Sequence, residues 1–311
     1  MARIVVTGAT GFIDRQAIPE LVAQGHEVHC LLRTNAPVAH TTCHQINLLT
    51  DGDAVTDLLA SIKPQKLLHF AWSVTPGAFW TDRQNLDWVG ATLKLYRAFT
   101  KAGGERMVVA GTCAEYDWSG VNTNDPLTEL TSPQKPATLY GQAKKSMFDC
   151  LNVAANLDGV SLASGRIFQL YGPGEKRGRV TSDAIFSLLC ETPFETTKGT
   201  QLRDFMHVTD VARAFVALLE SDVTGPVNIA SGVDLPVAEV LQEIGRQTGR
   251  IDLLQFGARP MAAHETKRIA ADTCRLQDEV GYTTRFDLVT GIADAIDWWR
   301  HQIMSDQLNN V

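Results

Sequence analysis

The amino-acid sequence predicts a doubly wound α/β fold, in which helices cover both faces of a parallel sheet and a smaller, mixed C-terminal lobe binds substrate. In the first half of the chain, apolar runs of strand length alternate with longer segments of helical period, a pattern typical of parallel sheets with crossover helices. A glycine turn, TGATG, directly follows the first run. Proline and glycine gather in YGPGEKRGR at 171–179, and there the regular alternation ends.

The elements follow from these patterns in chain order. Predicted strands lie at 3–7, 27–33, 66–71, 106–111 and 161–168, and predicted helices lie at about 12–24, 53–62, 82–102 and 140–157. Beyond residue 179 the elements are shorter. The clearest of them are a strand at 227–230 and helices at about 236–248 and 288–303.

The composition is that of a globular protein with no general affinity for polyanions. Of 311 residues, 44% are hydrophobic and 20% are charged, and the formal net charge is -7 without a long run of lysines or arginines. We therefore expect no binding to nucleic acid or to an anionic membrane surface. The six cysteines form no CxxC pair, and no apolar stretch suits a leader or a membrane span, so we expect a cytoplasmic protein with reduced thiols.

The stretch TGATGFIDRQ at 7–16 has the features of a dinucleotide-binding turn. Gly8 permits a tight turn after the first strand, and Gly11 leaves no side chain between the backbone and a pyrophosphate at the N-terminus of the next helix. The alternative is that both glycines only connect a strand to a helix. Asp14 stands where the motif usually has a third glycine, so we expect its carboxylate to weaken cofactor binding.

The end of the second strand indicates which dinucleotide is preferred. A cofactor with a free ribose 2′-hydroxyl would need an acid there, but the chain has Leu32 and Arg33. A guanidinium pairs with a 2′-phosphate, which favours NADP(H) over NAD(H). NAD(H) stays possible, because Arg33 can equally be a solvated strand end.

Tyr140 and Lys144 lie four residues apart on a predicted helix and therefore share one face. A lysine cation beside the phenol would lower the pKa of Tyr140 toward working pH, so that Tyr140 can pass a proton to or from a carbinol oxygen. Thr112 follows the fourth predicted strand, at the edge where doubly wound folds place their chemistry, and its hydroxyl can bond the same oxygen. Taken alone, the tyrosine–lysine spacing also fits an ordinary exposed helix.

Together these segments resemble the extended short-chain dehydrogenases/reductases of the NAD(P)-dependent epimerase/dehydratase group. The matching stretches run nearly from end to end: TGATGFI (7–13), LLHFA (67–71), GTCAEY (111–116), YGQAK (140–144), RIFQLYGPG (166–174), RDFMHVTDVA (203–212), VNIASG (227–232) and AAD with VGY (270–282). Their order and spacing make the resemblance far more specific than any single motif.

The resemblance implies roles for individual residues. Thr112, Tyr140 and Lys144 form the implied catalytic set, and Lys144 also binds the nicotinamide ribose. The resemblance also implies cofactor contacts from Phe12 and Ile13 of the turn, from Asn47 and Leu48 at the adenine, and from Ala71. It implies that Gln169 and Arg203 contact the diphosphate of a nucleotide sugar. Members usually form homodimers through the helices that here lie at about 82–102 and 140–157.

The predicted division of the chain follows from the same matches. A Rossmann domain that binds NAD(P) is expected to comprise 1–168 and about 203–230. A substrate-binding lobe is expected to comprise about 169–202 and 231–311.

Departures from the family pattern narrow the expected reaction. Members that remove water from a nucleotide sugar have an Asp-Glu pair directly after the catalytic threonine, where this chain has Cys113 and Ala114, so we do not expect a 4,6-dehydratase. Gln169 and Trp88 each replace a usual asparagine, and Asn85, one turn before Trp88, is a candidate substitute. Because NADP(H) favours net reduction, we expect a 4-ketoreductase of a nucleotide sugar, with a 4-epimerase as the close alternative.

Two features near the expected site have open interpretations. Trp72 and Trp80 enclose the loop WSVTPGAFW, which either lies over the sugar or nicotinamide or packs between loop and lobe. On the first interpretation Trp72 contacts substrate. Lys176, Arg177 and Arg179 form a dense basic loop, which either clamps a diphosphate or is solvated.

The sequence also fits two other functions, and one of its segments contains potential metal ligands. The chain could be an NADPH-dependent reductase of a small carbonyl compound without a nucleotide, or a protein without catalytic activity that lost its cofactor at Asp14. His40, Cys43 and His44 could ligate a metal, but we expect them to face solvent in a loop and predict no metal.

Overall fold

The structure, a computed structural model, describes residues 1–34, 36–119, 125–262 and 265–309. The strands in these ranges are β1 (Arg3–Thr7), β2 (Glu27–Leu32), β3 (Thr42–Gln45), β4 (Lys66–His69), β5 (Arg106–Thr112), β6 (Ser161–Ile167), β7 (Gln169–Tyr171), β8 (Phe194–Thr196), β9 (Leu202–His207), β10 (Gly225–Ile229), β11 (Asp234–Pro236), β12 (Leu254–Phe256) and β13 (Arg268–Ile269). The α-helices are α1 (Asp14–Ala23), α2 (Gly52–Ile62), α3 (Gln84–Lys101), α4 (Leu139–Asp158), α5 (Val180–Leu189), α6 (Val208–Glu220), α7 (Val237–Thr248) and α8 (Leu288–Asn309).

Seven of the strands form one parallel sheet in the order β3-β2-β1-β4-β5-β6-β10. This sheet confirms the predicted fold class, and it contains each of the six strands that the sequence predicts. The chain turns back across β1 to add β4, so a crevice opens between the carboxyl ends of these two strands. Doubly wound folds bind their ligands at such a switch point.

Helices cover both faces of the sheet, which is why its strands are continuous apolar runs. All seven residues of β5 are buried. On one face α1 and α6 contribute Ile18 and Phe215 to the core, and on the other α2, α3 and α4 contribute Leu59, Phe99 and Met147. Each such side chain stabilises the fold by about 1.5–3 kcal/mol relative to exposure.

A second, smaller sheet lies beyond the point where the alternation ends. Its central strand, β9, pairs with β7, β11 and β13, and β8 pairs with β12. Helices α5, α7 and α8 pack together around Ile185, Ile244 and Trp299. Although 203–230 is predicted as part of the Rossmann domain, β9 belongs to this smaller sheet, and α6, which follows it, packs on the large one.

The large sheet and the helices contain elements that the sequence analysis did not predict, among them the edge strand β3 and the helices α5 and α6. The segment with Cys43 and His44, expected as a loop, is the edge strand β3, in which His44 Nε2 lies 3.0 Å from Nδ1 of His29. Its polar residues carry no strand pattern, and main-chain bonds to β2 hold it. Helix α6 was not predicted, because it follows β9 without an intervening turn.

Among the described residues, no group of three or more His, Cys, Asp or Glu side chains is placed to hold a metal ion. None of the helices in that part of the chain has the length and apolar character needed to cross a bilayer.

Candidate active site

The glycine turn lies against the loop that follows β4. Gly8 has φ of 86°, a conformation that favours glycine, and a Cβ at this position would lie 3.0 Å from the backbone nitrogen of Ala71. The turn is closed by a hydrogen bond of 2.6 Å from the Gly11 N–H to the Gly8 carbonyl. Gly8 and Ala71, both predicted at the cofactor, therefore meet at the switch point of the sheet.

A buried histidine joins the strands beneath this turn. His69 Nδ1 lies 2.7 Å from Thr7 Oγ1, and its Nε2 lies 2.9 Å from Thr92 Oγ1 on α3. Burial, with a smaller effect from Lys144, lowers the pKa of His69 to about 3, so the ring is neutral at working pH. The sequence analysis did not single out His69, although it lies within the LLHFA match.

Asp14 is buried in the turn instead of facing solvent. Its Oδ2 lies 2.5 Å from the point that a Cβ at Gly11 would occupy. Burial raises the pKa of this carboxyl well above its usual range. The sequence analysis assumed a charged carboxylate, whereas this environment favours the neutral acid.

The other predicted cofactor residues lie along the carboxyl edge of the sheet. Arg33 directly follows β2 and is exposed. Asn47 accepts a hydrogen bond from the Leu49 N–H at 3.1 Å, and Leu48 packs against the core beneath α2 and α3. Phe12 lies next to Gly174, where the loop at 171–179 approaches the turn. Ile13 immediately precedes α1 and packs against the core.

Thr112 and the start of α4 are brought together by close backbone approach. Thr112 ends β5 and caps a short 3-10 helix, Cys113–Glu115, by accepting a hydrogen bond of 3.2 Å from the Ala114 N–H. A Cβ at Gly141 would collide with the Ala114 carbonyl, so glycine is required between Tyr140 and the rest of α4. Thr112 therefore lies close enough to Tyr140 for its hydroxyl to lower the pKa of the phenol.

Tyr140 is enclosed by aromatic side chains of the loop at 72–80. Its ring meets those of Phe79 and Trp80 edge-on, with centroids 4.9 Å and 5.9 Å apart. Burial raises the pKa of Tyr140 above its ordinary value of 10.0, while the Thr112 hydroxyl and the Arg179 guanidinium lower it. The net direction is opposite to the expected lowering by Lys144, because burial dominates.

Lys144 lies between a backbone carbonyl of β5 and the indole ring of Trp72. Its Nζ donates a hydrogen bond of 2.8 Å to the Ala110 carbonyl and lies 3.8 Å from the ring centroid of Trp72. Burial lowers the pKa of Lys144 to about 7, against a smaller raising effect of Glu115. Both charge states of this amine are therefore populated near neutral pH.

Trp72 is fixed by packing on its other side. Its indole Nε1 donates a hydrogen bond of 2.8 Å to Asn85 Oδ1, and its ring stacks on Trp88 with centroids 6.1 Å apart. The amide nitrogen of Asn85 donates to the carbonyls of Phe79 and Asp82. Asn85 therefore shapes the loop at 72–80, and contact between Trp72 and substrate stays a prediction.

A buried ion pair supports the threonine end of the site. Arg166 Nε donates to Glu115 Oε2 at 2.8 Å, and both side chains are almost fully enclosed. Glu115 Oε1 also accepts a hydrogen bond of 2.9 Å from the Thr112 N–H. The sequence analysis missed this pair, although T-C-A-E at 112–115 has the spacing of a capping box.

Gln169 and Arg203, predicted at the diphosphate, line one cavity of about 200 Å³. The parallel pairing of β7 with β9 brings them together. The remaining lining residues are Val180, Gln201, Phe205 and Val237. Arg203 forms an ion pair with Glu265.

Two arginines of the basic loop at 176–179 point in different directions. Arg177 pairs with Asp183 at 2.6 Å and stacks on Phe186, with its guanidinium 3.8 Å from the ring centroid. Arg179 lies 5.1 Å from the ring centroid of Phe79, on the side of Tyr140. Only the second of these two arginines faces the candidate site.

Several known proteins are similar to this chain over nearly its whole length. UDP-glucose 4-epimerase of Corynebacterium glutamicum is 26% identical to this chain over 321 residues, which cover 94% of each protein. The solved structure of MoeE5 in complex with UDP-glucuronic acid and NAD is 29% identical, with a TM-score of 0.82 and coverage of 96% of this chain and 99% of MoeE5.

A third match shows likeness of fold. UDP-glucose 4-epimerase from Thermotoga maritima, solved with UDP-glucose, is 19% identical, with a TM-score of 0.85 and coverage of 97% and 99% of the two chains. The model of the NAD dependent epimerase/dehydratase family matches residues 4–230, most of the chain. The chain therefore belongs to the NAD dependent epimerase/dehydratase family.

Proposed function

We propose that this chain is an NAD(P)-dependent enzyme that acts on a nucleotide-diphosphate sugar by reversible hydride transfer at a sugar carbonyl or carbinol, as a 4-epimerase. One observation carries the proposal: Tyr140 lies beside Thr112 at the end of β5, on the same helix whose Lys144 packs against Trp72. Trp72 follows Ala71, which lies against the Gly8 turn. Tyr140, which could transfer a proton, thus lies near the glycine turn that would bind a dinucleotide.

The residues of the turn fit a dinucleotide. Gly8 permits the tight turn before α1, and Gly11 has no Cβ at the helix N-terminus, where the Asp14 carboxyl lies instead. Asn47, Leu48 and Ala71 lie along the same edge of the sheet. When bound, the nicotinamide supplies or accepts the hydride. The protein's part is to hold substrate in place and to move the accompanying proton.

Tyr140 would move that proton. As a buried phenol it can donate to a sugar carbonyl oxygen, and Thr112 can bond the same oxygen. Removal of a proton from a carbinol requires the phenolate, which Thr112 and Arg179 favour. Lys144 in its charged form would add to that effect while binding the nicotinamide ribose.

The diphosphate of the substrate would lie in the cavity lined by Gln169 and Arg203. Arg203 would exchange its ion pair with Glu265 for one with the diphosphate, and Gln169 would supply hydrogen bonds. The relatives named above are described with UDP-glucose or UDP-glucuronic acid, which supports a UDP sugar here. Elimination of water is not proposed, because burial raises the pKa of Cys113 to about 12 and Ala114 has no titratable group.

A 4-ketoreductase is the second candidate, and Arg33 is the observation that favours it. An exposed guanidinium at the end of β2 is suited to a 2′-phosphate, and NADPH favours reduction. The MoeE5 structure contains NAD, which favours the epimerase instead. The choice between NADP(H) and NAD(H) stays a prediction.

The test combines ligand binding with turnover. Calorimetry with UDP-glucose, UDP-N-acetylglucosamine and UDP-glucuronic acid, each with NAD+ or NADP+, should detect binding of at least one nucleotide sugar. A turnover assay should then show that the protein converts the bound sugar to its 4-epimer. The Tyr140→Phe variant should bind the same ligands and lose most of the turnover. A matched control is Tyr96→Phe, whose hydroxyl bonds Asp158 at 2.8 Å at the far end of α4.

Three outcomes would contradict the proposal. Turnover by Tyr140→Phe at the parent rate would refute the catalytic assignment. Binding of a dinucleotide without any nucleotide sugar would favour the reductase of a small carbonyl compound. Binding of neither ligand would favour a protein without catalytic activity.

A further inference from the structure

The carboxyl group of Asp14 occupies the pyrophosphate side of the glycine turn. Asp14 begins α1 and is 3% exposed. Its Oδ2 fills the space that Gly11 leaves open by having no Cβ, which is the space through which the backbone approaches a pyrophosphate. Its Oδ1 is buried and has no hydrogen-bond partner among the described residues. A buried polar atom without a partner is costly, so Oδ1 requires a partner such as a ligand, an ion or a water molecule.

The cations nearby are directed elsewhere. Arg15, the next residue of α1, donates to a backbone carbonyl of the turn at 3.2 Å. Arg213 of α6 pairs with Glu20, farther along α1, at 3.1 Å. Cys30 of β2 also lies near Asp14, and burial, with a smaller effect from Asp14, raises its pKa to about 11. Its thiol is therefore neutral and cannot pair with the carboxylate.

We propose that Asp14 binds the pyrophosphate of the cofactor as a neutral acid, donating its carboxyl hydrogen to a phosphate oxygen. This inference rests on the proposed function, since it needs a dinucleotide in the turn. The neutral acid completes the hydrogen bonds of both partners, whereas the carboxylate would repel a dianionic pyrophosphate at the same helix end. Asp14 is thus a cofactor-binding residue whose charge state sets the affinity.

If the neutral form of Asp14 binds the pyrophosphate, the affinity for the cofactor should fall as pH rises. Burial raises the pKa of Asp14, and the opposing interaction is a hydrogen bond to its own backbone N–H, so the neutral form persists above the usual range of a carboxyl group. Above the pKa of the free protein, binding requires uptake of a proton. The association constant should then fall by up to about tenfold per pH unit.

Calorimetric titration with ADP-ribose tests the proposal, because this probe carries the pyrophosphate without the nicotinamide. The parent, Asp14→Asn and Asp14→Gly are compared from about pH 6 to about pH 8.5, in two buffers of different ionisation heat. Proton exchange by other groups, Lys144 included, persists in both variants and is subtracted from that of the parent. After this subtraction, we expect proton uptake, and an affinity that falls as pH rises, in the parent alone.

The two variants separate a hydrogen-bond donor from an obstacle. Asp14→Asn keeps the shape and a donor but cannot ionise, so its affinity should be independent of pH and match the parent near pH 6 within about threefold. Asp14→Gly should also be independent of pH but bind more weakly than the parent near pH 6, by about fivefold or more.

Two results would overturn the inference. Equal pH dependence in all three proteins would show that Asp14 does not titrate with binding. Tighter binding by Asp14→Gly at every pH would show that the acid only obstructs the pyrophosphate. If none of the proteins bound ADP-ribose, the proposed cofactor itself would be contradicted, a result that differs from both of these.

Discussion

Replacing Lys144 by methionine should change how the stability of this protein depends on pH. Burial lowers the pKa of Lys144 to about 7 in the folded chain, from 10.5 for the free side chain. Between these two values the unfolded chain holds a proton on Lys144 that the folded chain has lost. The parent protein should therefore gain stability as pH rises through this window, and the Lys144→Met variant should lack that gain.

The slope of the free energy of unfolding against pH gives the size of this stability difference. One proton of difference between the two states corresponds to about 1.4 kcal/mol per pH unit. From about pH 7.5 to about pH 9.5, the free energy of unfolding of the parent should rise by about 2–3 kcal/mol relative to Lys144→Met. The absolute offset between the two proteins also includes the packing of methionine against Trp72, so the slope is the diagnostic quantity.

Urea unfolding followed by tryptophan fluorescence measures this difference at half-unit steps of pH. The matched control is Lys145→Met, which removes the next lysine of α4, a surface residue whose Nζ lies 2.6 Å from Asp149. Its offset from the parent should be nearly constant over the same range. Parallel curves for the parent and Lys144→Met would refute the reasoning, because they would show equal proton binding at Lys144 in both states.

Three further variants test the buried ion pair beside the site, the predicted dimer and the predicted cofactor preference. Glu115→Gln leaves Arg166 buried without its carboxylate and should lower the free energy of unfolding by about 3–5 kcal/mol, whereas Asp297→Asn, at an exposed pair, should cost less than about 1 kcal/mol. Equal losses in urea unfolding would contradict this. Leu157→Glu places a charge on the exposed apolar side of α4, where Leu157 is 83% exposed, and should convert the predicted dimer to monomers in light scattering. A monomeric parent would contradict the dimer. Arg33→Ala should weaken NADPH binding by about tenfold or more and leave NADH binding unchanged in fluorescence titrations; equal losses for both would refute the role of Arg33.

Local patterns were sufficient for six of the seven strands of the large sheet, because helices cover both faces of the sheet and these strands are largely apolar. The apolar run of β5 and the glycine turn after β1 can be recognised without knowing what packs against them. β3 could not be recognised, since its polar residues form a strand only through main-chain bonds to β2. Helix α6 was missed because no turn residue separates it from β9.

In the candidate site, spacing and motif order predicted Thr112, Tyr140 and Lys144 as the catalytic set, and in the structure the Thr112 hydroxyl lies close enough to Tyr140 to lower its pKa. The charge states of Lys144 and Asp14 were not predictable, because desolvation depends on every element that encloses a group. Residue types and their spacing along the chain thus specify which chemical groups are present, while the protonation of each group depends on surroundings that only the folded chain provides.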